Sequence, residues 1–142
     1  AESFEHLRDH ADRKAEATGT RPGVFIATLG PLAEHTARAD FARNLFATGG
    51  IEAKEPPVPP KDIAELVAAW RASGCVIACL CGSDSRYEAE AAHAASELKT
   101  AGVQRLYLAG KQSAEGVDSN IHIGIDVVAA LELAHAELGI TA

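Results

Sequence analysis

The 142-residue sequence contains no methionine, even at its first position, and so reads as a processed chain or a piece of a longer one. Basic residues are in deficit. Thirteen Lys and Arg against 20 Asp and Glu leave a formal charge of -7 and a pI near 5.3. Nucleic-acid binding depends on cations that neutralise phosphates, so no nucleic-acid partner is expected. No apolar run approaches the roughly 20 residues that span a bilayer, and the first residues lack the apolar stretch of a signal peptide. The expectation is a cytoplasmic protein without a membrane partner.

The motifs of common α/β cofactor and signalling domains are also missing. Neither GxGxxG nor GxxxxGK[ST] occurs, which removes the glycine-rich turns whose amides cradle dinucleotides and nucleoside triphosphates. A receiver domain needs a phosphoacceptor Asp at the end of its third strand, where this chain has Leu80 and Cys81. The three cysteines, Cys75, Cys79 and Cys81, lie in one apolar run in which alternation would put them on one strand face. Their odd number and apolar neighbours suggest free buried thiols in a reducing compartment, and CxC without further ligands is a weak metal signal. His6 and His10 are four apart on a helical pattern, but no HExxH accompanies them. No metal site is expected.

What is present is an alternation of short apolar runs and longer amphipathic ones. With 47% apolar residues, the chain is the size of one domain with one core. Strands are expected at 23–29 (GVFIATL), 51–53, 75–81 (CVIACLC), 105–110 (RLYLAG) and 120–125 (NIHIGI). Between them, Thr36 can cap a helix over 37–48 that ends at Gly49 and Gly50. Asp62 and Glu65 have capping-box spacing for a helix stopped by Gly74, and Ser85 with Glu88 has the same spacing for an alanine-rich one. Residues 111–119 are too short and broken for a full crossover helix. Asp126 can cap a closing helix with Val128, Leu131, Ala134, His135 and Leu138 on its stripe. The segment EPPVPP, residues 55–60, must be a stiff loop. Its Pro56 and Pro59 have PxxP spacing, for which a rigid connection is the commoner use. Residues 1–20 are expected to form a polar linker helix with a thin apolar stripe, and 21–142 the domain.

The pattern βαβαβαββα predicts an α/β, flavodoxin-like parallel sheet of five strands in the order 2-1-3-4-5, with helices on both faces. Ligands of such sheets bind beyond the carboxyl ends of the strands, where the strand order reverses. Here that directs attention to residues 30–38 and 82–86.

The run of segments FEHLRD, RPGVFIATLG, ARADFARNLFATGGIEA, VIACLCGSDSRY, AGVQRLYLAGK and IHIGIDVVAAL resembles the cobalamin-binding domain of the methylmalonyl-CoA mutase family. It is most similar to that of the small, non-catalytic subunit of the heterodimeric members. The resemblance covers essentially the whole chain and rests on order and spacing. It implies that the parent complex is an isomerase that interconverts methylmalonyl-CoA and succinyl-CoA with adenosylcobalamin, and that a large catalytic subunit is the partner. Binding members carry DxHxxG after the first strand, where the His ligates cobalt and the Asp orients it, then SxL at the third strand and GG after the fourth.

Aligned on Gly30, this sequence has Leu32, Glu34 and Ala37 at the Asp, His and Gly positions of DxHxxG. Leu80, Cys81 and Gly82 match SxL, and Ala109 with Gly110 matches GG. By this resemblance the domain has lost its cofactor residues, binds no cofactor itself, has no catalytic residue and serves assembly. Two alternatives stand beside it. His35, one residue past the ligand position, would make the chain a cobalamin module with an atypical axial contact. An unrelated, stand-alone α/β regulatory domain is the other.

Overall fold

The structure, a computed structural model, describes residues 23–56 and 58–122 together with Leu131 and Ala134. The linker helix expected over 1–20, the end of the fifth strand, and Val128, His135 and Leu138 of the closing helix lie outside the described residues.

Five parallel strands form one sheet in the order β2-β1-β3-β4-β5. They are β1 (Gly23–Thr28), β2 (Glu52–Lys54), β3 (Ile77–Cys81), β4 (Arg105–Ala109) and β5 (Ser119–Ile121). Strands β1 and β3 are buried along their whole length. That is why their sequences are continuously apolar rather than alternating.

The period-2 geometry of the strands sorts their side chains into two layers. Val24, Ile26, Ile77, Cys79, Cys81, Tyr107 and Ile121 face helix α1 (Leu32–Thr48), which contributes Ala39, Ala42, Leu45 and Phe46. Phe46 meets Tyr107 edge to face at 5.3 Å. Leu131 and Ala134 are buried in the same layer. On the opposite side Phe25, Ala27, Ala78, Leu80, Leu106 and Leu108 pack under α2 (Ile63–Ser73) and α3 (Ala92–Ala101). Each fully buried Leu or Ile here is worth about 1.5–3 kcal/mol. Alanine carries much of α3's contact, through Ala94 and Ala95, with Ala91 just before it.

Helix α2 starts as its sequence predicts. The Asp62 carboxylate accepts the Glu65 N–H at 2.8 Å, the Glu65 carboxylate accepts the Lys61 N–H at 3.1 Å, and Gly74 stops the helix with φ +75°. Residues 111–118 form no helix, as their brevity suggests.

Three local expectations are corrected. Helix α1 begins at Leu32, after Pro31, and not behind Thr36. Proline's fixed φ suits a helix entry, and the Thr36 hydroxyl donates back to Leu32 O at 2.6 Å as an interior residue. The helix after β3 is capped by Ser83, whose Oγ accepts the Arg86 N–H at 3.2 Å, and not by Ser85. It turns over Asp84–Arg86, widens to a π-helix over Tyr87–Ala91 and continues as α3. Finally, Cys75 precedes β3 and packs in the α2/α3 layer, while Cys79 and Cys81 face α1. The chain enters the strand only at Ile77, so alternation does not extend back to Cys75.

Candidate functional site

The order of the strands reverses between β1 and β3, so the crevice in question lies where the two strands end. The early start of α1 leaves a connection of only Leu29–Pro31 after β1. Gly30 turns it with φ +79°, and a Cβ there would come within 2.7 Å of Arg86 Nε. Any other residue at position 30 would therefore strain the turn and collide with Arg86.

Placing residues 32–38 on a helix sorts the candidate positions. Leu32 is 65% exposed and Ala37 is also exposed. His35 is on the inward face with Ala39 and Ala42, 3% exposed, and its Nδ1 lies 3.2 Å from Gly30 O. The ring closes the helix entry onto its own turn.

Glu34 points across the crevice. Its carboxylate accepts from Arg86 Nη2 and from the Ser83 hydroxyl, both at 2.9 Å, and Arg86 Nη1 also donates to Glu90 at 2.9 Å. The Arg86 guanidinium, with help from Ser83, holds the Glu34 carboxyl below its ordinary value, and the bonds to Glu34 and Glu90 hold Arg86 above its own.

A second bridge lies beside the first. Arg38 Nη1 donates to Gly82 O at 2.8 Å and Nη2 to Asp84 at 2.7 Å, and the same Asp84 oxygen accepts from Gln112 Nε2 at 2.5 Å. The guanidinium lies 5.2 Å from the centre of the Tyr87 ring, within cation–π range.

Tyr87 is the inner knot. Its hydroxyl accepts the Gly82 N–H at 3.0 Å and donates to Ala109 O at 2.7 Å, with Leu80 O 3.2 Å away. Burial pushes this phenol well above its ordinary value. The side chain is brought inward at the first residue of the π-helix, a segment type often found at functional sites.

Four of the six positions read as losses from the sequence thus meet in one place. Glu34 is paired with Arg86, and Leu80, Gly82 and Ala109 are gathered round the Tyr87 hydroxyl. Leu32 and Ala37 are exposed on α1. Sequence reasoning missed Arg38, Arg86, Tyr87 and Gln112, the residues that build the network. The available signal was the presence of one arginine after each switch-point turn, close enough to reach the opposite loop. Among the described residues no group of three or more His, Cys, Asp or Glu has the arrangement of a metal site, and no helix is long and apolar enough to cross a membrane.

The geometry defines a class: a doubly wound α/β domain of flavodoxin-like topology whose ligand-side crevice is bridged by its own ionic and phenolic side chains. No family model matches the chain. Curated relatives do. The methylmalonyl-CoA mutase small subunit of Streptomyces virginiae is 45% identical over 98% of this chain. The probable methylmalonyl-CoA mutase small subunit of Mycobacterium tuberculosis is 42% identical over 98%, and the small subunit of Propionibacterium freudenreichii subsp. shermanii is 33% identical over 99%. The chain is a homologue of one part of the methylmalonyl-CoA mutase small subunit. It spans only 22% to 23% of the length of these relatives. Among solved structures, a chain from the crystal structure of RSP in complex with beta-NADH superposes with a TM-score of 0.48 at 15% identity. The match covers 89% of this chain and 66% of that one, and nothing about function follows from it.

Proposed function

We propose that this domain is a non-catalytic assembly element of a methylmalonyl-CoA mutase small subunit, that it holds no cobalamin of its own, and that it supports a large catalytic subunit which carries the adenosylcobalamin chemistry. The observation that carries this reading is the bridged crevice. A corrinoid domain needs an imidazole free to reach cobalt and an open path for the nucleotide tail. Here the position of the ligand is a glutamate committed to Arg86 and Ser83, and the adjacent His35 is buried against Gly30 O. Arg38 and Tyr87 join the loops past which the tail would have to enter. The residues present do not fit the group, and no step of the isomerisation is assigned to this chain. Localisation in the cytoplasm belongs to the same reading.

Titration with hydroxocobalamin, followed by absorbance, tests the first half. No change in the corrinoid spectrum is expected, whereas micromolar binding that is lost in His35→Ala would overturn the reading in favour of an atypical axial contact. Affinity purification from the native host tests the second half. Recovery of a mutase large subunit is expected, and its consistent absence would favour a stand-alone regulatory domain.

A further inference from the structure

Away from the bridged crevice, beside the start of β1, the edge strand β2 and the last turns of α2 enclose a cleft of about 560 Å³, within the range of small-molecule sites. Phe25, Pro56, Ala69 and Ala72 give it apolar walls, and Lys54 and Ser73 bring polar groups. Cys75 borders it. The Cys75 N–H donates to Ser73 Oγ at 3.2 Å, and its side chain, 7% exposed, packs in the α2/α3 layer.

Gly23 brings the lysine and the cysteine together. It opens β1, which lies between β2 and β3 in the sheet. A Cβ at this position would lie 3.0 Å from Lys54 Cε and 3.2 Å from Cys75 Sγ. The lysine stem therefore crosses the bare glycine and ends beside the thiol. Lys99 is bridged to Asp118, whereas Lys54 has no carboxylate partner among the described residues. Burial pushes the Cys75 thiol up, the Ser73 hydroxyl and the Lys54 ammonium pull it back in part, and Glu52 adds to the rise. Reaction at Cys75 thus runs through a small thiolate fraction and quickens as the pH rises.

A thiol and an amine side by side have complementary reactivity toward thioesters. The thiolate exchanges reversibly with a thioester sulfur, and an amine held next to the new thioester captures its acyl group as an amide. We propose that Cys75 and Lys54 form an acyl-relay modification site, at which Cys75 takes the acyl group from a small acyl thioester and Lys54 receives it. In the first step the Cys75 sulfur bonds to the carbonyl carbon, the donor's carbon–sulfur bond breaks, and the donor thiol leaves with the proton that Cys75 gave up. In the second, Lys54 has lost one proton to water and its nitrogen bonds to the same carbon. The Cys75 carbon–sulfur bond then breaks, and a second amine proton restores the thiol. No oxidant or reductant is needed. The cleft supplies the way in for the acyl end of the donor. Acylation removes a positive charge from the edge of the sheet beside Glu52. The proposal is independent of the assembly role and of the outcome with hydroxocobalamin.

Incubation of the protein with acetyl-CoA at mildly alkaline pH, followed by peptide mass spectrometry, provides the test. Lys54 should be acetylated about tenfold or more faster than the exposed Lys61 and Lys111, through proximity to the acylated sulfur. Cys75→Ala should reduce Lys54 to the rate of those two lysines. Lys54→Arg keeps the charge but removes the acceptor, and should accumulate an acetyl thioester on Cys75 that neutral hydroxylamine cleaves. Cys79 and Cys81, buried in the other layer, should carry no acetyl group. Circular dichroism establishes that both variants fold. Equal acetylation of Lys54, Lys61 and Lys111, a Lys54 advantage that persists in folded Cys75→Ala, or no thioester in folded Lys54→Arg would overturn the proposal. If one variant fails to fold, the parent protein and the other variant decide it.

Discussion

Tyr87 shows why losses read from a sequence need a structure to explain them. Read in the sequence, Leu80, Gly82 and Ala109 are three separate substitutions, and Tyr87 is an unremarked residue of an alanine-rich helix. In the fold its hydroxyl satisfies the Gly82 N–H and the Ala109 carbonyl in a buried place where water cannot substitute. Tyr87→Phe keeps the ring's packing and removes only the oxygen, leaving both backbone groups unpaired. Urea unfolding should show a loss of about 1–3 kcal/mol with the m-value unchanged. A neutral outcome would mean that the loops do not depend on the hydroxyl. The capping pair Asp62 and Glu65 behaved otherwise, because both partners lie within one turn of sequence and their spacing alone defines the contact.

Among the elements, α1 departed most from expectation, and its start determines the site. Residues 30–38 carry no strong capping side chain except Thr36, so the pattern places the helix start there. Pro31 and the hydrogen bond from Thr36 to Leu32 O instead extend the helix by a turn. That turn buries His35 and aims Glu34 at Arg86. The Glu34–Arg86 bridge couples α1 to the helix after β3, and it has a pH signature. With its folded value held below the ordinary 4.5, chiefly by the Arg86 bond, Glu34 stabilises the fold while ionised. This contribution is complete above pH 4.5 or so and is lost as the pH falls through the lowered folded value. Glu34→Gln should therefore melt below the parent at neutral pH, and the gap should close as the pH falls through that lowered value. Because both partners are about one-third exposed, the gap should also shrink in high salt. A pH-independent gap would mean that Glu34 acts through packing rather than charge.

For the whole molecule, the two-layer burial of the sheet makes a global claim testable through the thiols. Cys75, Cys79 and Cys81 are free and buried. Burial pushes the Cys75 thiol up, and Cys79 well above its ordinary value, so neither offers a thiolate at neutral pH. Cys79 and Cys81, at 0% exposure in the central strand, should be labelled by a thiol reagent only at the rate of global unfolding. Cys75, 7% exposed at the strand's entry, should react sooner through local opening. Rapid native labelling of all three would contradict the closed sheet. The class of fold was legible without coordinates, because five apolar runs separated by amphipathic ones admit few arrangements other than a doubly wound sheet, and handedness and strand order then follow from chain connectivity. The residue types at 32, 34, 37, 80, 82 and 109 likewise differ, on the sequence alone, from the cofactor motifs of the family it resembles. Only the tertiary structure decided what stands in its place. Glu34 and Arg86 are 52 residues apart and Arg38 and Gly82 are 44 apart, so their pairing has no local signature. It arises because parallel strands bring the loops after β1, β3 and β4 to one edge of the sheet, where polar groups turned inward must find partners in one another.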